Sequence, residues 1–299
     1  MSAGAPPRDR IGGALLFVPA AERRLAKLSR IDADAVIVDL EDAIHADAKA
    51  AARGLAAAAI AALDRPDLAV LARINSVAEG GEEDLRALAG LPLAGLVIPK
   101  AADAATIEAV AASVAAAWPQ GPPPLVPLIE SAGGLVGLRE MLAVGRGLTA
   151  PVVAVALGAE DFAGDMEVAR SEDGAEILLA RQLIAVHAHA ADVVAVDTPF
   201  LDSRDDQGLR RDARRAAGLG FAGKLCIHPA QVPVVRAAFA PSEEQLDWAR
   251  QVVAKAAEDD AAGQGVGSID GRMLDRPVVI QAERILARAG ETSERLSAD

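Results

Sequence analysis

The chain predicts an α/β fold, a (β/α)8 TIM barrel with a C-terminal helical extension, and three observations support it. Eight short runs rich in Val, Leu, Ile and Ala recur as far as Pro229. Each is followed by polar or turn residues and, in most cases, by an Ala-rich stretch, as in parallel strands buried on both faces and joined by crossover helices. The length of 299 residues accommodates one barrel of about 200–250 residues and leaves a surplus.

In order, the runs are Ala14 to Val18, Ala35 to Asp39, Ala69 to Ile74, Gly95 to Pro99, Leu125 to Ile129, Val152 to Leu157, Val193 to Val196 and Gly223 to Ile227. Helices are read from apolar residues three and four apart in Ala46 to Leu63, Asp103 to Ala117, Leu135 to Val144 and Gly174 to His189. Pro119 to Pro127 includes three consecutive prolines, which lack the N–H that a helix interior needs, so it reads as a rigid loop into the fifth strand. After Pro229 the alternation stops. Ser242 to Ala257 reads as a helix opening on a capping box of Ser242 and Gln245. A Gly-rich loop from Gly263 to Gly267, the segment Asp270 to Pro277 and a last helix follow. Residues 1–235 are therefore assigned to the catalytic barrel and 236–299 to a helical extension that packs on it or reaches another subunit.

Composition narrows the function. The chain is 52% hydrophobic but only 2% aromatic, so its core is built of small and branched aliphatic side chains. A net charge of -13 opposes nucleic acid as a partner, since phosphate backbones are bound by surplus Lys and Arg. An anionic substrate must then be met by a few local cations. The single cysteine, Cys226, cannot form an intramolecular disulfide and fits a reducing compartment. No secretory leader and no uncharged apolar run of about 18 residues is evident, so a cytoplasmic protein without membrane contact is expected.

Chemistry in such barrels sits at the carboxyl ends of the strands. The residues there are Asp39, Glu41 and Asp42, then Arg73 and Asn75, Lys100, Glu130, Glu160 and Asp161, Asp197 and His228. Glu130 and Asp161 follow consecutive strands, and their hard oxygens suit Mg²⁺, which takes one or two protein carboxylates. Four histidines without a pair at i, i+4 spacing argue against a closed zinc site. Arg73 offers a planar fork for a substrate carboxylate or a polarised carbonyl, or else pairs with Glu41 or Asp42. Lys100 is either a cation for the substrate or a partner of Asp39; the surrounding acids keep it charged, which disfavours Schiff-base chemistry. His228, before Pro229, reads as a structural hydrogen bonder, and His45, His187 and His189 as helix residues without chemistry.

These residues also carry a resemblance that spans nearly the whole chain. It rests on Leu16-Phe17-Val18-Pro19, on Val38-Asp39-Leu40-Glu41-Asp42-Ala43 with Lys49 and Arg53, on Arg73-Ile74-Asn75, on Ile98-Pro99-Lys100, on Leu128-Ile129-Glu130 and on Gly158-Ala159-Glu160-Asp161. Gly220 to Lys224, Ile227 to Gln231 and Gly271 to Pro277 continue it. In this order the segments resemble the citrate lyase β-subunit-like proteins of the HpcH/HpaI aldolase and citrate lyase superfamily, which includes malyl-CoA and citramalyl-CoA lyases.

The resemblance implies Mg²⁺, with Mn²⁺ as a substitute, held by Glu130 and Asp161, and Arg73 and Glu130 in contact with substrate. It implies that Asp275 is the acid or base presented to a neighbouring subunit, hence a homo-oligomer, a trimer or a hexamer. Asp39, Glu41, Asp42, Lys100 and His228 would support the site, and Arg23, Arg24 and Lys27 would meet CoA phosphates or form an exposed face. The implied reaction cleaves a 3-hydroxyacyl-CoA thioester of malyl or citramalyl type to an acyl-CoA and a 2-oxo acid. Three alternatives stand beside it: a citrate lyase β subunit acting on a citryl thioester of an acyl-carrier protein, a thioesterase, and a non-catalytic metabolite-binding homologue. One departure is Glu167, where relatives often have glycine.

Overall fold

The computed structural model describes residues 11–119, 121–261, 267–269 and 272–291. The Gly-rich stretch 263–266, Asp270 and Gly271 lie outside the described residues, as do the first ten, on which the expectation of no secretory leader falls. Along the chain run β1 (Gly13–Pro19), α1 (Glu22–Leu25), β2 (Ala35–Asp39), α2 (Lys49–Ala61), β3 (Ala69–Arg73), α3 (Gly81–Leu88) and β4 (Gly95–Ile98). Next come α4 (Ala104–Ala117), β5 (Leu125–Ile129), α5 (Ala132–Gly145), β6 (Ala154–Leu157), α6 (Ala159–Asp165) and α7 (Leu178–Ala190). Then β7 (Val194–Asp197), α8 (Asp206–Gly218), β8 (Gly223–Cys226) and α9 (Gln231–Phe239) complete the βα units.

Each strand pairs in parallel with its neighbours, and β1 pairs with β8, so the sheet closes as the predicted (β/α)8 barrel. At the seam Gly13 lies opposite Gly223, and a Cβ on Gly223 would stand 2.6 Å from the Gly13 carbonyl oxygen. Only glycine permits that approach. The expected strands match the observed ones to within one or two residues at their ends, where a strand gives way to loop without a sequence signal.

Side chains alternate between barrel interior and helix-facing exterior. The interior is filled by Leu15 and Phe17, Ala35 and Ile37, Ala69 and Leu71, Val97, Val126 and Leu128, Ala154 and Ala156, Val196 and Leu225. Alanines facing branched residues explain how a barrel closes with so few aromatics. Outside, helices bury one stripe each: α8 buries Leu209, Ala213 and Ala216 and leaves Arg210, Arg211, Arg214 and Arg215 exposed. Helix starts are capped by Asp103 on the Thr106 N–H (2.8 Å), Ser131 on that of Gly134 (3.0 Å) and Asp205 on that of Gly208 (2.8 Å).

The chain divides into two compact units, one ending at Arg236 and the next beginning at Ala237. The second contains α10 (Glu243–Ala261), an antiparallel pair β9 (Gly267–Ile269) and β10 (Arg272–Leu274), and α11 (Arg276–Arg288). Its own core includes Leu246, Ala249, Val252, Leu274, Ala282, Ile285 and Leu286. The predicted capping box is present: Gln245 N–H donates to Ser242 Oγ at 3.2 Å and Ser242 N–H to Gln245 Oε1 at 2.9 Å. Among the described residues no helix is long and apolar enough to cross a membrane.

Candidate active site

Strand parity decides which strand-end residues enter the barrel mouth. Ala35 and Ile37 point inward on β2, so Asp39 does too; Leu71 carries Arg73 with it on β3, and Leu128 carries Glu130 beyond β5. Asp39 and Arg73 are partners in register, and their side chains form a bidentate pair, Nε to Oδ1 at 2.7 Å and Nη2 to Oδ2 at 2.8 Å. Nη1 of Arg73 lies 2.8 Å from Glu41 Oε2 and 3.4 Å from Asp42 Oδ2, and the guanidinium sits 4.9 Å from the centre of the Phe17 ring. Burial alone would lower the pKa of Arg73, but Asp39 above all, with Glu41 and Asp42, raises it instead. Of the two expected acid partners both are present, yet Asp39 is the principal one.

Glu41 is buried, and neither of its carboxylate oxygens has a hydrogen-bond donor despite the short distance to Arg73. The contact is a charge pair whose N–H groups are not aimed along it. A second layer holds its backbone: Lys49 Nζ donates to the carbonyls of Leu40 (2.9 Å) and Glu41 (2.7 Å). Asn75 Nδ2 also donates to Leu40 O (2.9 Å), and Asp84 receives Asn75 and Arg53. Lys49 and Arg53, noted above only as parts of a motif, are thus the struts of the Asp39–Asp42 loop.

Glu130 is 5% exposed. Its Oε2 accepts the Lys100 N–H at 2.6 Å. Lys100 has φ 51, a left-handed conformation that turns its amide toward the barrel mouth. Its other oxygen faces Gly158, where a Cβ would stand 2.8 Å from Oε1 and 2.5 Å from Cγ. Gly158 therefore makes the space that the glutamate occupies. Asp161, exposed in the first turn of α6, is close enough for its charge to act on Glu130.

Burial is the main reason that the Glu130 pKa is pushed up to about 8; the Lys100 amide opposes the shift, and Glu41 and Asp161 add to it. Burial likewise raises Glu41 to about 7, with Arg73 opposing. Folded, both carboxyls retain protons that the unfolded chain releases near its ordinary value of 4.5. Their contribution to stability is complete below that value and is lost as pH rises through about 7 and 8. In EDTA, melting temperature should fall by roughly 4–8 °C between about pH 5 and pH 8.5. Differential scanning fluorimetry should show a smaller fall in Glu130→Gln and, in the parent protein, a Mg²⁺-induced rise that is larger at the alkaline end. An equal fall in the variant would mean that Glu130 is not the group responsible.

Two expectations need correction. Asp197 does not join the rim: Val196 points inward, so Asp197 faces the helices, where Arg181 holds it at 2.8 and 2.9 Å and Lys224 at 2.6 Å. Lys100 does not pair with Asp39, whose oxygens are taken by Arg73. Its half-exposed amine instead lies 3.5 Å from Glu79 and 3.7 Å from Glu41, which outweigh partial burial and raise its pKa. Glu160 pairs with Arg170 at 2.8 Å. His228 is exposed, and its Nδ1 accepts the Ala230 N–H at 3.2 Å, a turn contact of the structural kind expected. Arg23, Arg24 and Lys27 are exposed. Glu167 has φ 55, a conformation that glycine adopts freely and glutamate does not. Asp275 belongs to the second unit, exposed, and caps α11 by accepting the Val278 N–H at 3.2 Å.

Among the described residues no group of three or more His, Cys, Asp or Glu side chains could hold a metal by itself. Magnesium does not require one, because water and substrate complete its octahedron. Glu130 and Glu41 are buried acids with few donors, and a divalent cation would supply the charge that the site lacks.

Fold and rim together define a class, (β/α)8 enzymes whose C-terminal mouth combines several carboxylates with one anchored arginine. The chain belongs to the HpcH/HpaI aldolase/citrate lyase family, whose profile matches residues 13–229. It is 33% identical to the mitochondrial citramalyl-CoA lyase of Homo sapiens, over 94% of this chain and 86% of that one. Citrate lyase subunit beta of Leuconostoc mesenteroides subsp. cremoris is 32% identical, with 94% of each chain covered. Among solved structures, CitE of Mycobacterium tuberculosis in complex with magnesium, acetoacetate and coenzyme A superimposes with a TM-score of 0.78 at 36% identity, covering 94% of this chain and 100% of that one.

Proposed function

We propose that the protein is a Mg²⁺-dependent CoA-ester lyase that cleaves a malyl- or citramalyl-type 3-hydroxyacyl thioester into an acyl-CoA and a 2-oxo acid. The observation that carries this reading is Glu130, a buried carboxylate placed by the Lys100 amide and Gly158 beside Asp161. It stands in a family whose similar members are named for citramalyl-CoA and citrate cleavage.

Glu130 and Asp161 would hold the ion, and Mn²⁺ could replace it. When bound, the ion supplies Lewis-acid polarisation of substrate oxygens. Arg73, locked by Asp39, presents a fixed positive charge to a substrate carboxylate or to the oxygen that gains charge as the bond breaks. The C3 hydroxyl gives up its proton to solvent water and becomes the carbonyl of the 2-oxo acid, while the C2–C3 electron pair passes to C2 as a thioester enolate. Protonated Asp275 of a neighbouring subunit would deliver the proton to C2, which makes the enzyme an obligate homo-oligomer.

The test is to incubate the protein and Mg²⁺ with malyl-CoA, citramalyl-CoA and citryl-CoA and to quantify 2-oxo acid and acyl-CoA. Free CoA without 2-oxo acid would indicate a thioesterase. Activity only on an acyl-carrier protein thioester would indicate a citrate lyase subunit, a reading favoured by the Leuconostoc relative. Mixed Glu130→Ala and Asp275→Ala subunits, each inactive alone, are expected to recover part of the activity. No recovery despite proven exchange would remove Asp275 from a neighbour's site.

A further inference from the structure

A second buried cluster, on the outer side of β7 and β8, is not used by the reaction described above. Lys224 is fully buried, and its ammonium group donates to Asp197 Oδ2, Asp212 Oδ2 and the Thr198 carbonyl, each at 2.6 Å. All three of its protons are thereby used. Arg181 grips Asp197 with both Nε and Nη2 and reaches Asp212 at 2.8 Å. Two cations and two anions balance, so the cluster forms a neutral clamp on the end of β7, with Arg181 Nη1 left without a hydrogen-bond partner among the described residues.

The clamp leads to a polar contact on the active-site side. Thr198 follows β7 and is 1% exposed. Its hydroxyl accepts the N–H of Ala159 at 3.0 Å. Ala159 is the first residue of α6, and its N–H is one of the helix-start donors that no intrahelical carbonyl can satisfy. It lies between Gly158, which makes room for Glu130, and Asp161 two residues on. β6 and β7 run in register to Ala156 and Val196, so Thr198 stands beside the turn that bears Asp161.

We infer that Thr198 is the positioning residue of the metal-bearing turn. Its carbonyl is held by Lys224, and its hydroxyl fixes the start of α6, so that the Asp161 carboxylate is set relative to Glu130 before any ion arrives. The inference rests on the proposed Mg²⁺ site and assigns to the buried quartet the task of supporting it, as outer partners orient metal-binding carboxylates elsewhere.

Mn²⁺ binding to the full-length protein tests this. Free Mn²⁺ is read by electron paramagnetic resonance, with Mg²⁺ competition, in the parent, Thr198→Val, Thr198→Ser and Glu130→Gln. Valine keeps the shape and removes the hydroxyl, and about tenfold weaker binding is expected. Serine restores the hydroxyl and is expected to bind within roughly threefold of the parent. Should Thr198→Val not fold, Thr198→Ala makes the same deletion with less bulk. Parent-like binding by the folded hydroxyl-free variant overturns the inference even if its melting temperature falls, provided that Glu130→Gln has lost the site. Parent-like binding by Glu130→Gln overturns the metal site itself and this inference with it.

Discussion

Glu130→Gln is expected to cut turnover by roughly 10³-fold, the scale of losing several kcal/mol of charge stabilisation at the reacting oxygens. The amide fills the same volume, and its oxygen can still accept the Lys100 N–H that Glu130 now accepts at 2.6 Å, so the barrel should fold normally. What disappears is the charge. In EDTA at about pH 8 the variant should be as stable as the parent or more so, because a buried carboxylate no longer has to ionise. Activity and stability thus move in opposite directions, as expected where a site is kept at a stability cost. Steady-state rates over a Mg²⁺ titration, with melting curves on the same samples, check both. A parent-like rate and Mg²⁺ requirement would put the metal elsewhere. Gly158→Ala is a companion that leaves the carboxylate intact: its new Cβ would stand 2.5 Å from Glu130 Cγ, so the glutamate must move, and Mg²⁺ affinity should fall with it.

Arg73→Met is expected to have the largest effect on stability. It removes the bidentate partner of Asp39 and the nearest cation to Glu41, both buried. Breaking a buried ion pair on one side costs about 3–5 kcal/mol, or a fall of roughly 6–15 °C in melting temperature for a domain of this size. Glu41, already raised to about 7, loses an opposing positive charge and is raised further, so its stabilising proton is retained to higher pH. The deficit should therefore shrink on acidification and grow as pH rises through that range. Arg73→Lys should recover little, because an ammonium cannot reproduce the planar fork. Urea denaturation at about pH 5 and pH 8 decides the matter, and a deficit independent of pH would rule out the carboxylates as its cause. Catalysis should also fall by about 10³-fold, the fixed positive charge having gone.

Much of this site was legible in the residues, for reasons that can be named. Parallel strands covered on both faces must be hydrophobic throughout, so eight runs announce eight strands, and polar residues at their carboxyl ends announce the working face. Inward parity was equally available. Counting in twos from Leu71 and Leu128 brings Arg73 and Glu130 into the mouth, and the same count from Val196 would have kept Asp197 out of it. That error came from reading strand ends without their faces.

Other features depend on groups that leave no side-chain signature. Lys100 contributes through its backbone N–H in a left-handed turn, while its amine, the feature visible in sequence, points to Glu79 and Glu41. Gly158 contributes by having no side chain. Thr198 acts on a residue 39 positions away. The strand count, the acidic and cationic residues of the rim and the capping box at Ser242 are local or periodic, so the linear sequence determined them by itself. Which oxygen Arg73 grips, which space Gly158 opens and which N–H Thr198 caps were decided only by closing the barrel. Closure brings distant strand ends within hydrogen-bonding distance, and pairings of that range follow from register and twist rather than from any neighbour along the chain.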